Sequence, residues 1–123
     1  MDITSPLEAV VATRGPDAGG TDAAQITLHG RIDRDADAAM SDAYREAAAL
    51  GSPVIHVDFS GVDYINSTGI ALIVRLLADA RRDHREIRAS GLSEHYREIF
   101  RITRLADYMT LVDDETTTQG GPA

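Results

Sequence analysis

The chain has no cysteine among its 123 residues. Disulfides, thiolate nucleophiles and cysteine-based metal sites are therefore excluded, and a cytoplasmic setting is the expectation. Lysine is absent as well. All 12 basic residues are arginine, and they face 20 acidic ones, for a formal net charge of −8. That balance argues against nucleic acid and anionic membrane surfaces as partners. No stretch reaches the ~18 consecutive apolar residues of a membrane span. The N-terminal Met1-Asp2-Ile3-Thr4-Ser5-Pro6 lacks the basic region and apolar run of a signal peptide. No internal repeat is present, and neither a metal nor a cofactor is expected. The length suits one domain with one core, expected over residues 1–113. Residues 114–123 are polar, end in Gly120-Gly121-Pro122-Ala123, and read as a disordered tail.

What is there alternates between strand and helix signals. Leu7 to Thr13 reads as a strand, Arg14 to Asp22 as a long turn with Pro16 and three glycines, and Ala24 to His29 as the returning strand. These make an antiparallel hairpin. A first helix is expected from Ala36 to Leu50, with Ala36, Ala39, Met40, Ala43, Ala47 and Leu50 on one face and Gly51 as its stop. Val54 to Phe59 has the continuous apolar character of an interior parallel strand, with a polar turn after Asp58. A second helix is expected from Thr68 to His84, its core stripe being Ile70, Ile73, Val74, Leu77 and Ala80. Ile87 to Ser90 is a short strand. Ser93 caps a third helix with Tyr96, Ile99, Phe100 and Thr103 on its inner face, and Met109 to Val112 is a last strand. The expectation is an α/β fold: a small, mixed, mostly parallel sheet with an N-terminal β-hairpin.

The segment with most chemistry is Asn66-Ser67-Thr68-Gly69, which opens the apolar second helix. Unpaired N–H groups and the helix dipole favour negative charge at such an end. Ser67 there has two readings. One is a plain helix N-cap. The other is a phosphate carrier: a phosphoryl group would add roughly −1.5 to −2 charges at an end that tolerates them. Thr68 is the second choice as acceptor. Gly69 allows close backbone approach. Asp33, Asp58 and Asp63 are expected near the same end of the sheet, where a new dianion would deepen the negative potential and repel a partner. A hydrolase elbow requires glycine two residues before the serine as well as two after; Gly69 is present, but Ile65 occupies the earlier position, and none of His29, His56, His84 or His95 has a readable role as base. His56 reads as a satisfied strand histidine and His84 as a helix C-terminal cap. Leu72 and Arg75 fall off the core stripe. Leu72 is either a flank contact with another element or part of a docking surface beside Ser67. The cluster Arg81-Arg82-Asp83-His84-Arg85 reads as a solvated helix end.

Taken together, the run from Asp58 to Gly69 resembles the STAS domain, and within it the single-domain anti-sigma factor antagonists. That family carries a strand, then D-[LF]-S-x-[VL]-x-[FY]-[IL]-D-S-[ST]-G, then a helix. Asp58-Phe59-Ser60-Gly61-Val62-Asp63-Tyr64-Ile65 and Ser67-Thr68-Gly69 match, whereas Asn66 stands where the family usually has Asp. Gly30-Arg31-Ile32-Asp33 is similar to the family's G-x-[IL]-D, and Ile99 to Leu105 to its late element. The resemblance implies a STAS-like fold with the helices mainly on one face of the sheet. It implies a regulator that is not an enzyme. Ser67 is then phosphorylated by an anti-sigma factor with an ATP-binding kinase fold and dephosphorylated by a PP2C-type phosphatase. The unphosphorylated form binds the anti-sigma factor and so regulates transcription indirectly. Asn66, Thr68, Gly69, Leu72, Arg75, Asp33 and Asp63 are then the partner-binding residues. The alternative within the same resemblance is a STAS accessory subunit of an ABC-type lipid transport system, bound constitutively and never phosphorylated. Asn66 leans toward it, because the carboxylate beside the hydroxyl is gone.

Overall fold

A computed structural model of the chain describes residues 5–14 and 23–112. Five strands form one sheet in the order β1 (Glu8–Arg14), β2 (Ala23–Ile32), β3 (Val54–Ile65), β4 (Glu86–Ser90), β5 (Thr110–Val112). β1 is antiparallel to β2, and every other neighbouring pair is parallel. Three helices make the crossovers: α1 (Asp37–Ala49), α2 (Ser67–Arg82) and α3 (Glu94–Ile102). Parallel crossovers are right-handed, and here each advances the sheet in the same direction, so the helices fall on one face.

The two faces of the sheet differ as the sequence alternates. Ala24 and Ile26 of β2 register with Ile55 and Val57 of β3, and these with Ile87 and Ala89 of β4; together with Leu28 all are buried under the helices. Ile73 of α2 and Phe100 of α3 complete this core, and the Phe100 ring meets Phe59 edge-on at 6.0 Å. The alternate residues Gln25, His56 and Arg88 share the opposite face by register. His56 lies in contact with Ser90 there (Nε2 to Oγ, 3.1 Å), which bears out its reading as a partnered strand histidine.

Several expectations need correction. The chain does not turn after Asp58: β3 continues to Ile65, because β2 also runs on to Ile32 and pairs with it through Ile32↔Ile65. Register shifts between Thr27 and His29 and between Gly30 and Arg31 absorb the irregular Ser60-Gly61-Val62 stretch. In α1, Leu50 is exposed, and Tyr44 is buried in its stead. In α2 the buried stripe is Gly69, Ile73, Leu76, Leu77 and Ala80, whereas Val74 is 47 % exposed. Thr103 is exposed as the C-cap of α3, and its hydroxyl donates to the Ile99 carbonyl at 2.8 Å. α2 ends at Arg82, and His84 adopts a left-handed conformation (φ 59°) while the Arg85 N–H reaches back to the Ala80 carbonyl at 2.8 Å. The expected turn over residues 15–22 and the tail 114–123 lie outside the described residues.

Tyr44 joins α1 to the end of α2. Its hydroxyl donates to Asp83 Oδ2 at 2.6 Å and to the Asp79 carbonyl at 3.2 Å. Burial, then the Asp83 hydrogen bond and charge, push the phenol up to about 12. The folded state therefore holds this proton more tightly than the unfolded chain, whose tyrosine titrates near 10. The contribution is complete below about pH 10 and is lost as pH rises toward 12, by roughly 2 kcal/mol in all. Urea unfolding at pH 9 and pH 11.5 checks this: Tyr44→Phe should lose less stability over that interval than the unsubstituted chain.

Candidate functional site

β2 and β3 extend beyond the end of β4, whose last pairing is Asp58↔Ser90. The projecting ends carry the first turn of α2. Asn66 is extended (φ −102°, ψ −174°), and its Oδ1 accepts the Gly69 N–H at 2.9 Å. Asn66 is therefore the N-cap, and the reading of Ser67 as the cap is corrected. An amide oxygen reaches the third helical N–H as well as a carboxylate does. Ser67 is instead the first helical residue. It is exposed, as is Thr68, and the Ser67 hydroxyl has no hydrogen-bond partner among the described residues. Its oxygen stands beside the unpaired N–H groups of the first turn, with no acidic side chain in that turn.

Close backbone contact locks this turn in place. The Asn66 N–H lies 3.3 Å from the Ile32 carbonyl oxygen. A Cβ on Gly69 would collide with that same oxygen and lie 2.8 Å from the Ile32 carbonyl carbon. From the other side, the Tyr96 hydroxyl of α3 accepts the Ile65 N–H at 3.0 Å. Ser67 thus sits on a support made by the end of β2, the end of β3 and a side chain of α3. Spacing puts Tyr96 on the inner face of α3, but no sequence signal gives its hydroxyl this backbone partner.

The structure brings some expected residues together and separates others. Asp33 follows Ile32 directly, so it stands at the same end. It caps the short turn Arg34–Ala36, with Oδ1 accepting the Asp35 N–H at 3.0 Å and Oδ2 taking Arg31 Nε at 2.7 Å. Asp63 is exposed on β3 just before Ile65. Asp58 is not at this end. It lies seven residues back along β3, about 20 Å by strand rise, and its Oδ1 accepts the Ser60 N–H at 2.9 Å. The continuation of β3 displaces it. Leu72 is half-buried and lines a crevice between α1 and α2 with Met40, Tyr44 and Leu76. Arg75 is exposed and lies 3.5 Å from Asp37 of α1. Rising two turns of helix, it stands about 12 Å from Ser67 along the axis.

One surface escaped the sequence reading. Ala71, Val74 and Ala78 are all exposed and follow Ser67 at helical spacing, so a narrow apolar stripe runs down α2 from the hydroxyl. The spacing is readable, but α2 is apolar on nearly every side between Ile70 and Leu77, so the sequence alone places Val74 in the core.

Leu72 and Ile73 now give a paired test. Ile73 is 1 % exposed, and its replacement by alanine should cost about 2–5 kcal/mol of folding free energy. Leu72→Ala should cost less, about 1–2 kcal/mol, since the side chain is only partly buried, packed at the edge of the core. Chemical denaturation of both variants decides it; equal losses would place Leu72 in the core.

Fold and site together define a small sheet-and-helix domain that offers one helix N-terminus, with exposed hydroxyls, on a rigid backbone support. The chain belongs to the STAS domain family: the family model described as "Mlab, STAS domain" matches residues 18–113. It is similar to the anti-sigma-B factor antagonist of Listeria monocytogenes, at 27 % identity over 103 residues, covering 84 % of this chain and 90 % of that protein. A second similarity is to the anti-sigma-B factor antagonist of Staphylococcus epidermidis, at 34 % over 59 residues, 48 % of this chain and 55 % of that protein. Among solved structures, an anti-sigma factor antagonist from Mycobacterium paratuberculosis superposes with a TM-score of 0.69 at 16 % identity, covering 89 % of each chain. The anti-sigma factor antagonist SpoIIAA in its unphosphorylated form superposes with a TM-score of 0.63 at 15 % identity, covering 88 % of this chain and 90 % of that one. At these identities the superpositions establish the fold.

Proposed function

We propose that this protein is an anti-sigma factor antagonist that binds an anti-sigma factor through the Ser67 end of α2 and is switched off by phosphorylation of Ser67. The observation that carries the reading is the division of labour between Asn66 and Ser67. Asn66 supplies the cap, so the Ser67 hydroxyl is exposed and available to an acceptor chemistry without loss of the helix. The kinase is the anti-sigma factor itself, with an ATP-binding fold, and a PP2C-type phosphatase reverses the step. A phosphoryl group at the first helical position meets the dipole favourably, so the fold persists while the surface changes. Asp33, paired with Arg31, and the exposed Asp63 stand at the same end, and Asp63 adds to the negative field that a docked partner would meet. The contact surface comprises Asn66, Thr68, Leu72 and Arg75, and the buried Gly69 shapes it from beneath by seating the first turn of α2 on Ile32. Regulation of transcription is then indirect, through release of a sigma factor.

Incubation with a candidate anti-sigma kinase and ATP, followed by site mapping, tests the acceptor. Phosphate on Ser67, absent from Ser67→Ala, supports the reading. Phosphate only elsewhere, or undiminished in Ser67→Ala, would overturn it. A second reading, a constitutive accessory subunit of an ABC-type lipid transporter, is favoured by one feature, Asn66 in place of the acidic residue. It predicts stable binding to an ATPase subunit and no modification under any condition.

A further inference from the structure

The far end of α2 has a feature that the Ser67 reading does not use. An apolar cleft of about 270 Å³ lies between α2 and the turn Leu105–Tyr108, lined by Val74, Leu77, Ala78, Arg81 and Tyr108. A second cleft of about 310 Å³ shares Leu77, Arg81 and Tyr108 and reaches Arg85. Together they form one groove. Val74 and Tyr108 are two of the few large apolar side chains left exposed, at 47 % and 55 %.

The groove is lined by two arginines and two carboxylates, and of these only the arginines have no ion-pair partner among the described residues. Arg81 lies over the Tyr108 ring, 5.3 Å from its centroid, and has no carboxylate partner among the described residues. Arg85 gives one guanidinium N–H to the Ser52 carbonyl, while its Nε is buried with no hydrogen-bond partner. A buried charged donor without an acceptor is costly and uncommon. The two lining carboxylates are already engaged by arginines outside the groove: Asp107 with Arg104 at 2.8 Å, and Glu86 with Arg88 at 3.0 Å. On a chain of net charge −8, an apolar groove flanked by two arginines without carboxylate partners is complementary to an acidic ligand with an apolar anchor.

We propose that this groove is a second docking site, for an acidic segment of a protein partner that carries an apolar or aromatic side chain between its carboxylates. The anchor enters against Val74, Leu77 and Tyr108, and the carboxylates meet Arg81 and Arg85. The exposed Ala71–Val74–Ala78 stripe leads from this groove to Ser67, so one partner can span both. The groove itself does not depend on Ser67 being phosphorylated, and its test does not involve that residue.

The experiment is a nitrogen–proton correlation titration of the full chain with an acetylated, amidated peptide Glu-Asp-Leu-Phe-Glu-Asp. Controls are the same peptide with serine for Leu and Phe, and with lysine for each acid. The expected result is saturable shifts at Val74, Ala78, Arg81 and Tyr108. Binding should weaken at least about tenfold in Arg81→Glu and in elevated salt, with both controls far weaker. Equal binding by either control, or shifts confined to the Ser67 end, would overturn the proposal. So would tighter peptide binding when Asp113, Asp114 and Glu115 are neutralised, because the groove would then belong to the chain's own acidic segment. A dimer in solution that Arg81→Glu dissociates would assign the groove to a second copy and overturn it equally.

Discussion

Gly69→Ala should destabilise this protein by about 3 kcal/mol or more, toward the upper end of what one added methyl does in a packed interior. The added Cβ meets backbone, the carbonyl oxygen and carbon of Ile32, and a neighbouring carbonyl cannot swing aside as a side chain can. Relief requires the first turn of α2 to lift away from the end of β2. That movement would stretch the Asn66 to Ile32 contact and disturb the Asn66 cap on the Gly69 N–H. It would also shift Ser67. The variant should therefore lose partner affinity per folded molecule as well as stability. Thermal unfolding and a binding titration corrected for the folded fraction separate the two effects. A stability loss below about 1 kcal/mol would mean that the close approach of α2 to β2 is not a tight constraint.

The second large effect concerns binding with the fold intact. Ser67→Asp should leave the melting temperature unchanged or slightly raised, since a carboxylate in the first helical turn contributes about 0.3–1 kcal/mol favourably. The same change should weaken binding of the anti-sigma factor, though less than a phosphoryl group, which has more charge and more bulk. Exposure is what separates stability from binding here: Ser67 is an exposed first-turn residue and Asn66 does the capping. Differential scanning calorimetry with a parallel titration is the check. A marked drop in melting temperature for Ser67→Asp would show that the hydroxyl is structural and would remove the basis of a surface switch.

The elements whose residues face one environment were legible in the sequence. β2 alternates cleanly, α3 begins directly after its cap Ser93 as the capping chemistry predicts, and the Asn66-to-Gly69 run sits at the start of α2. The errors have a common physical origin: they fall where tertiary contacts choose between local options. The Ser60-Gly61-Val62 stretch has turn chemistry, but pairing with the extended β2 holds it in a strand. Along α2, Val74 and Leu76 are equally apolar, and only the position of α1 and the pinning of Gly69 on Ile32 decide which is buried. The burial of Tyr44 is not legible locally, because its polar tip finds Asp83, a partner far along the chain. The same reasoning explains the site. Which residues start the helix is local, so Ser67, Thr68 and Gly69 were found. What stands beside them depends on where the strands end, so Asp33 fell into place and Asp58 did not.

The most direct measurement is the affinity of the anti-sigma factor for this chain before and after stoichiometric phosphorylation of Ser67, by calorimetric titration at fixed ionic strength. The account predicts a stable complex with the unmodified chain and a loss of about a hundredfold or more on phosphorylation, as a charged, bulky group placed in a complementary interface costs several kcal/mol. Circular dichroism should show the same fold in both forms. Equal affinity of the two forms would contradict the switch, and would leave Ser67 as an exposed helix residue on a constitutive binding module.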